Sequence, residues 1–183
     1  PLGQLFGTWG YELINWIEPK VPIHEINEND LPDASWMFMD RLLIFDQVKR
    51  FITAVSYGDL TINKDPEKAY QIALDRIKNL KDLMSAPLNQ IEPLEWKAET
   101  HELPKIKKNW TKIKFQDAVK NAKEFIAKGD IFQIVISQKF SSSVSQSPFD
   151  LYRSLRMVNP SPFMAFFDFG DWQLIGSSPE VMV

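Results

Sequence analysis

The chain has 183 residues, of which 44% are hydrophobic and 25% are charged, a composition typical of a soluble globular protein. The formal net charge of −3 at pH 7 gives the chain no overall basic excess for binding nucleic acid. Its one lysine-dense stretch, PKIKKNWTKIK, is better explained as a solvated connector.

Cysteine is absent from the chain, and its two histidines are His24 and His101. Disulfide bonds, thiolate metal sites and a cysteine nucleophile are thereby excluded, and the two histidines lack the spacing of metal ligands. No stretch approaches the roughly 20 apolar residues that a membrane-spanning helix needs. We therefore predict a cytoplasmic protein, or one of the plastid stroma if it is organellar, without a membrane or nucleic-acid partner.

Residues 1–60 are predicted to form strands and loops, because GQLFGTWGYEL, MFMDRLLIFDQ and RFITAVSYG combine aromatic and β-branched residues with glycine turns. A helix should follow, since Asp65 is a good N-cap and Pro66 suits the first helical position. Its apolar face is predicted to consist of Tyr70, Ala73, Leu74, Ile77, Leu80 and Met84.

Residues 86–110 combine prolines, acids and lysines without a sustained period, which predicts a connector. Helical spacing then returns, and Gly129 is suited to the left-handed conformation that closes a helix. The apolar residues at this spacing are Phe115, Ala118, Val119, Ala122, Phe125 and Ile126. GDIFQIVISQKF, residues 129–140, alternates in the manner of a strand.

A third helix is predicted to begin at Ser147-Pro148 and to end at Asn159-Pro160. FMAFFDF and WQLIGSS, which are separated by a Gly-Asp turn, should form a hairpin. Together these elements predict an α+β fold.

Gln133 is an unexpected residue in the alternating stretch. It shares a face of the predicted strand with apolar Ile131 and Val135. A buried amide without a partner costs about 1 to 3 kcal/mol, so Gln133 either has a partner inside a sheet or lines a wet cavity. The pattern alone favours the structural partner.

Two other motifs combine side chains that could bind a ligand. GSSPE, residues 176–180, places Ser177, Ser178 and Glu180 around a proline that fixes an extended backbone. NPSPFM, residues 159–164, contains two prolines and a Phe-Met pair able to cover a flat ligand. Taken singly, GSSPE is better explained as a turn with an exposed glutamate, and NPSPFM can be explained as a helix stop followed by core residues.

Three segments in order, AKEFIAKGDIFQIVISQKF, LYRSLRMVNPSPFMAFF and IGSSPEVMV, resemble the chorismate-binding domain of the anthranilate synthase component I family. The first part, GTWGYELINWIEP through LLIFDQVKRFITAV, is similar to the late N-terminal domain of that family. The resemblance implies that residues 1–85 belong to the N-terminal domain, residues 86–110 to a connector, and residues 111–183 to the start of the chorismate-binding domain. It also implies a fragment of a large two-sheet α/β sandwich.

The family shares one reaction type, in which a nucleophile adds at C2 of chorismate with loss of the C4 hydroxyl, in the presence of Mg²⁺. It includes aminodeoxychorismate synthase, isochorismate synthase and salicylate synthase, so the fold leaves the product open. Relatives that use water have a lysine general base at the position that Gln133 matches. An amide cannot take that proton, but neutral ammonia needs no base, so Gln133 implies an ammonia-using enzyme.

By the same resemblance, Glu180 matches the carboxylic acid that protonates the departing C4 oxygen, and Ser177 and Ser178 support the substrate side of the site. The segment NPSPFM matches part of an L-tryptophan effector site, which assigns that role to Asn159, Pro160, Ser161, Pro162, Phe163 and Met164. The common motif has tyrosine where this chain has Phe163, so a hydroxyl is lost and the ring is kept.

The resemblance places the Mg²⁺ ligands outside this chain, so no metal site is expected within it. Because the chain starts without methionine and ends in the apolar run PEVMV, we expect an internal fragment that is inactive alone. The expected whole is an anthranilate synthase large subunit, with chorismate as substrate, ammonia from a glutamine amidotransferase, and L-tryptophan as inhibitor. The alternatives are aminodeoxychorismate synthase component I and a non-catalytic module for effector binding or subunit docking.

Overall fold

The computed structural model describes residues 5–22, 31–87, 93 and 104–178 of the chain. Both helices and strands are present in these residues, which confirms the predicted α+β class. The chain divides into two compact units, the first formed by Pro1–Pro93 with Ser161–Val183 and the second by Leu94–Pro160. The predicted domain assignment, with limits at residues 85 and 111, stays a prediction.

The elements of each unit follow in chain order. The first unit contains β1 (Leu5–Trp9), a 3₁₀ turn (Tyr11–Leu13), α1 (Ile14–Ile17), β2 (Ala34–Phe38), β3 (Arg41–Asp46), β4 (Phe51–Ser56), α2 (Pro66–Ser85), β7 (Phe163–Asp168) and β8 (Gln173–Ser178). The second contains β5 (Lys107–Lys108), α3 (Lys112–Lys128), β6 (Phe140–Ser141) and α4 (Pro148–Val158). The strands pair as four antiparallel ladders, β1 with β2, β3 with β4, β5 with β6 and β7 with β8.

Strands β1 and β2 approach each other closely at a glycine. Gly7 lies opposite Trp36, and a Cβ atom at position 7 would lie 2.1 Å from the carbonyl oxygen of Ser35. No side chain fits in that space, so glycine is required at position 7 for the pairing.

Helix α2 begins as predicted and packs against the β3–β4 hairpin. The side chain of Asp65 accepts a hydrogen bond from the backbone N–H of Glu67 at 3.0 Å, and Pro66 occupies the first turn. Ala69 and Ala73 are buried, whereas Tyr70, predicted for the apolar face, is exposed. Small residues one turn apart are therefore the buried residues of α2.

Arg76 joins α2 to the hairpin. Its Nη2 atom lies 3.1 Å from Oδ2 of Asp40, and its Nη1 atom donates to the carbonyl oxygen of Tyr57 at 3.0 Å. The carbonyl oxygen of Asp40 in turn accepts hydrogen bonds from the backbone N–H of Tyr57 and the hydroxyl of Ser56. One guanidinium group thus contacts the residues that flank both strands at the open end of the β3–β4 hairpin.

Helix α3 confirms the predicted closing glycine. Thr111 is its N-cap and accepts from the backbone N–H of Lys114 at 3.3 Å. Gly129 follows the last turn with φ of 80°, in the left-handed region, and its N–H donates to the carbonyl oxygen of Ile126.

The prediction that residues 129–140 form a strand is wrong for most of that stretch. Residues 131–139 have no regular secondary structure, and only Phe140–Ser141 pairs, with Lys107–Lys108. A strand is defined by its hydrogen bonds to a neighbour, and no strand in the described ranges pairs with residues 131–139. The apolar side chains of Phe132 and Val135 are consequently 93% and 79% exposed.

Within the part of the chain that the structure describes, none of the helices has the length and apolar character needed to cross a membrane.

We predict that Arg76→Ala lowers the free energy of unfolding by about 1 to 2 kcal/mol, because one charged hydrogen bond and one ion pair are lost at a half-buried position. Equilibrium urea unfolding followed by circular dichroism measures this change. The matched control is Arg41→Ala, whose Nε lies 3.5 Å from the other carboxylate oxygen of Asp40 on a more exposed side chain. Its cost should stay below about 0.5 kcal/mol. Equal losses in the two variants would contradict the assigned role of Arg76.

Candidate functional site

The β7–β8 hairpin brings two of the predicted site segments together. Phe163 lies opposite Ser178 and Met164 opposite Ser177 in its antiparallel register. Residues predicted for the effector segment therefore pair directly with residues predicted to support the substrate. Phe163 is 55% exposed, while Met164 and Ser177 are half-buried.

The hydroxyl of Ser161 bridges the open end of this hairpin. It donates a hydrogen bond to the carbonyl oxygen of Ser178. It also accepts one from the backbone N–H of Phe163 at 3.2 Å. The sequence predicted Ser161 only as a polar contact for an effector, and this bridge was missed. The bridge could be predicted only from the register of the hairpin, and that register follows from the sequence only once the position of the turn is known.

The other end of the hairpin is held by Asp168. Its Oδ1 accepts hydrogen bonds from the side chain of Gln173 and from the backbone N–H of Gly170, each at 3.0 Å. The bond from Gln173, followed by that from Gly170, holds the pKa of Asp168 below its ordinary value. A charged aspartate at neutral pH therefore stabilises the turn that sets the register.

Aromatic rings extend this support beyond the turn. Phe169 stacks on Trp172 with ring centroids 4.5 Å apart and on Phe167 with centroids 6.0 Å apart. Gly170 has φ of 89°, a conformation that favours glycine. The predicted Gly-Asp turn is thus confirmed, and its rings restrain the two strands that leave it.

Asn159 ends helix α4 in the second unit. Its backbone N–H donates to the carbonyl oxygen of Leu155 at 2.8 Å, and Pro160 follows, so the helix stops where predicted. At the start of the helix, Ser147 and Asp150 form a reciprocal cap, with the hydroxyl 2.7 Å from the carboxylate. That hydroxyl, followed by Arg153, lowers the pKa of Asp150. These contacts fix the first residue of α4 after Ser147 and its last residue before Asn159.

Gln133 lies in the second unit on the segment without regular structure. Its side chain is exposed and makes no hydrogen bond to any described residue. The next four residues, 134–137, form one wall of a groove of about 440 Å³. Helix α3 forms the other wall through Ala118, Asn121, Ala122 and Phe125, together with Trp110. Gln133 therefore lies at the start of a groove wall.

Glu180, the predicted acid, lies outside the described residues. The last described residue, Ser178, precedes it by two positions. The role of Glu180 therefore stays a prediction.

A magnesium ion requires several oxygen ligands, usually with at least one or two carboxylates. The described ranges contain no group of three or more histidine, aspartate or glutamate side chains able to hold a metal ion. The described residues alone therefore do not form a site for Mg²⁺. The expected Mg²⁺ ligands lie on polypeptide outside this chain, and the requirement for Mg²⁺ stays a prediction.

A separate cleft of about 610 Å³ lies in the first unit, lined by residues 57–62 together with Phe38, Asp40 and Arg76. Asp40, Asp59 and Arg76 contribute charges to its wall, and Leu60 and Ile62 contribute apolar surface. None of the predicted site residues within the described ranges lines it. Hydrogen bonds from the hydroxyl and then the backbone N–H of Thr61 lower the pKa of Asp59, so this loop is held by its own contacts.

Comparisons with known proteins agree over the whole chain. A family model described as chorismate binding enzyme matches residues 1–183. Anthranilate synthase component 1 of Synechocystis sp. is 49% identical over 187 residues, covering 100% of this chain and 37% of that protein. Anthranilate synthase alpha subunit 2, chloroplastic, of Oryza sativa subsp. japonica is 33% identical, covering 98% of this chain and 31% of that protein.

The crystal structure of anthranilate synthase component I from Streptococcus pneumoniae TIGR4 is similar in fold, with a TM-score of 0.74 at 32% sequence identity. The match covers 96% of this chain and 38% of that one. The chain thus spans about a third of the length of the relatives that it matches, between 31% and 38% for these three. Motif order, fold and similarity along the full 183 residues agree, and the chain belongs to the family of chorismate binding enzymes.

Proposed function

We propose that this chain is part of the large subunit of an anthranilate synthase, which converts chorismate and ammonia into anthranilate and pyruvate. The observation that carries the proposal is the 49% identity along the whole chain to a relative of that name. The chain spans 37% of that relative, so the activity is proposed for a protein of the relative's length, hereafter the intact protein.

Gln133 supports ammonia rather than water as the nucleophile. Water attacks a carbon centre well only after a base removes a proton, and an amide cannot act as that base. Ammonia is nucleophilic as the neutral molecule, so Gln133 needs only to orient the ammonia or the substrate. The exposed position of Gln133 at the start of the groove wall leaves its amide available for that contact.

Glu180 is proposed to protonate the C4 oxygen as it leaves. A carboxylic acid in this role must hold a proton at neutral pH, which a desolvated site or neighbouring negative charge favours. The carboxylates of chorismate would supply such charge. Ser177 and Ser178 precede this acid on β8 and are proposed to support the substrate side.

Several parts of the proposed machinery lie outside this chain. Magnesium would bind there and neutralise carboxylate charge on the substrate, and a glutamine amidotransferase would supply ammonia. Large apolar side chains of the described residues are exposed, among them Trp9, Trp36, Phe132 and Phe163. Such surface is typical of residues that further polypeptide covers, which supports the proposal that this chain is inactive alone.

Residues 159–164 are proposed to contact L-tryptophan as a feedback inhibitor. The exposed ring of Phe163 offers an apolar wall for a flat indole, and Met164 beside it is polarizable. Pro160 and Pro162 restrict the backbone around Ser161 and so limit the entropy lost on binding.

The direct test is an assay of the intact protein with chorismate, Mg²⁺ and an ammonium salt at alkaline pH, with anthranilate measured by its fluorescence. We expect anthranilate and an equal amount of pyruvate. Accumulation of an aminated chorismate without pyruvate would instead favour aminodeoxychorismate synthase. No conversion, with glutamine amidotransferase added or omitted, would contradict both enzyme functions.

We predict that Gln133→Lys abolishes most ammonia-dependent anthranilate formation, because an ammonium side chain would crowd or repel the incoming nucleophile. A loss of at least about tenfold in kcat/KM for ammonia is expected, measured at saturating chorismate. The control is Gln116→Lys, the same change at an exposed position of α3, which should keep the activity of the parent. Unchanged turnover in Gln133→Lys would remove this residue from the site.

We predict that Met164→Thr raises the inhibition constant for L-tryptophan by about tenfold, equivalent to roughly 1 to 2 kcal/mol of lost apolar contact. Titration with L-tryptophan at fixed chorismate and Mg²⁺ measures it. Met157→Thr, at an exposed position near the end of α4, is the matched control and should leave inhibition unchanged. A fall of uninhibited turnover as large as the change in inhibition would show that Met164 is only a packing residue.

A further inference from the structure

We propose that Ser161 is a positioning residue for the reaction: its hydroxyl fixes the end of β8 at Ser178, the point from which the chain continues to Glu180. This inference rests on the proposed function, in which Glu180 is the general acid. It gives Ser161 a role in catalysis in addition to any contact with an effector.

The β7–β8 ladder ends with the pair of Phe163 and Ser178. Hydrogen-bonded pairs alternate along an antiparallel ladder, and Phe169 with Trp172 beside the turn is such a pair. Position 162 is therefore one at which a backbone N–H would point away from the partner strand, and proline is tolerated there. The contact beyond the last pair is made by a side chain.

That side chain is Ser161. It reaches past Pro162 to the carbonyl oxygen of Ser178. Because it also accepts the N–H of Phe163 at 3.2 Å, a single oxygen atom connects the first residue of β7 with the last residue of β8. A serine hydroxyl can make both bonds at once, since it has one hydrogen and two lone pairs.

This arrangement has a consequence for the carboxylate that follows. The last pair of a ladder frays, and a displacement of about 1 Å in a catalytic group can lower a rate by up to about a hundredfold. The bridge restrains the carbonyl of Ser178, after which Pro179 further restricts the backbone before Glu180. Ser161 would thus act on the acid through the backbone and without touching the substrate.

The same oxygen atom also joins the effector segment to the end of β8. Phe163 and Met164 follow Ser161 directly, and the amide of Phe163 is one of its two partners. A ligand that displaces residues 161–164 would therefore disturb the bond to Ser178. The hydrogen bond between Ser161 and Ser178 would thus connect the proposed effector site with the backbone that leads to the proposed acid.

The experiment is a double-mutant cycle in the intact protein, using Ser161→Ala, Glu180→Gln and the two combined. We expect Ser161→Ala to lower kcat about tenfold with KM for chorismate within about twofold, and Glu180→Gln to lower kcat by roughly 10²- to 10⁴-fold. If Ser161 acts through Glu180, the double variant is no slower than Glu180→Gln alone. Multiplicative losses would overturn the proposal.

Two further variants separate positioning from loss of stability. Ser161→Thr keeps the hydroxyl and should restore kcat to within about threefold of the parent. Ser85→Ala removes a hydroxyl that donates to the carbonyl of Lys81 at 3.0 Å at the end of α2, and it should leave kcat unchanged. A Ser161→Thr variant as slow as Ser161→Ala would contradict the role of the hydroxyl.

Amide hydrogen exchange gives a readout that does not depend on activity. In Ser161→Ala the amide of Phe163 loses its acceptor, so exchange in a peptide covering residues 162–168 should become faster, with no change in α2. Unchanged exchange would contradict the bridge itself. If the parent makes no anthranilate, the proposed function fails, whereas an active parent with an unaffected Ser161→Ala variant refutes only the positioning role.

Discussion

The contact of the Ser161 hydroxyl with both strands of the β7–β8 hairpin is the interaction on which the described part of the site depends. Its oxygen accepts the N–H of Phe163 and donates to the carbonyl oxygen of Ser178, the last pair of the ladder. At the other end, the charged Asp168 and stacked aromatic rings fix the turn, and with it the register. Both ends of the hairpin are thus held by side-chain contacts.

The elements that sequence predicted correctly are those whose signals lie within a few residues of their effect. Asp65 caps α2, Ser147 caps α4 and Gly129 closes α3, because each acts on a backbone group of its own helix. The hairpin turn at Gly170 was predictable for the same reason. The resemblance of three ordered motifs then supplied the family, which the comparison along the full chain confirmed.

Predictions that depended on distant partners were less successful. Residues 131–139 alternate as a strand should, but a ladder also needs a neighbouring strand, and the described residues offer none. The apolar face of α2 was only partly predicted, since Ala69 and Ala73 make the close approach while Tyr70 is exposed. The bridge of Ser161 to Ser178 spans 17 positions, so no local pattern could indicate it. Catalytic roles for Gln133 and Glu180 come from the resemblance and remain proposals.

In the proposed reaction, a neutral amide at position 133 changes where proton transfer must take place. A water-using relative needs a base at the nucleophile and an acid at the leaving oxygen. Its rate therefore depends on the positions of two side chains. With ammonia the first requirement disappears, because the nucleophile arrives with its lone pair free. Protonation of the leaving oxygen is then the proton transfer that remains, and the protein must position the acid that carries it out. Residues that restrain the chain before Glu180 consequently gain weight in catalysis, and Ser161 is the side chain in the described ranges whose contacts place it there.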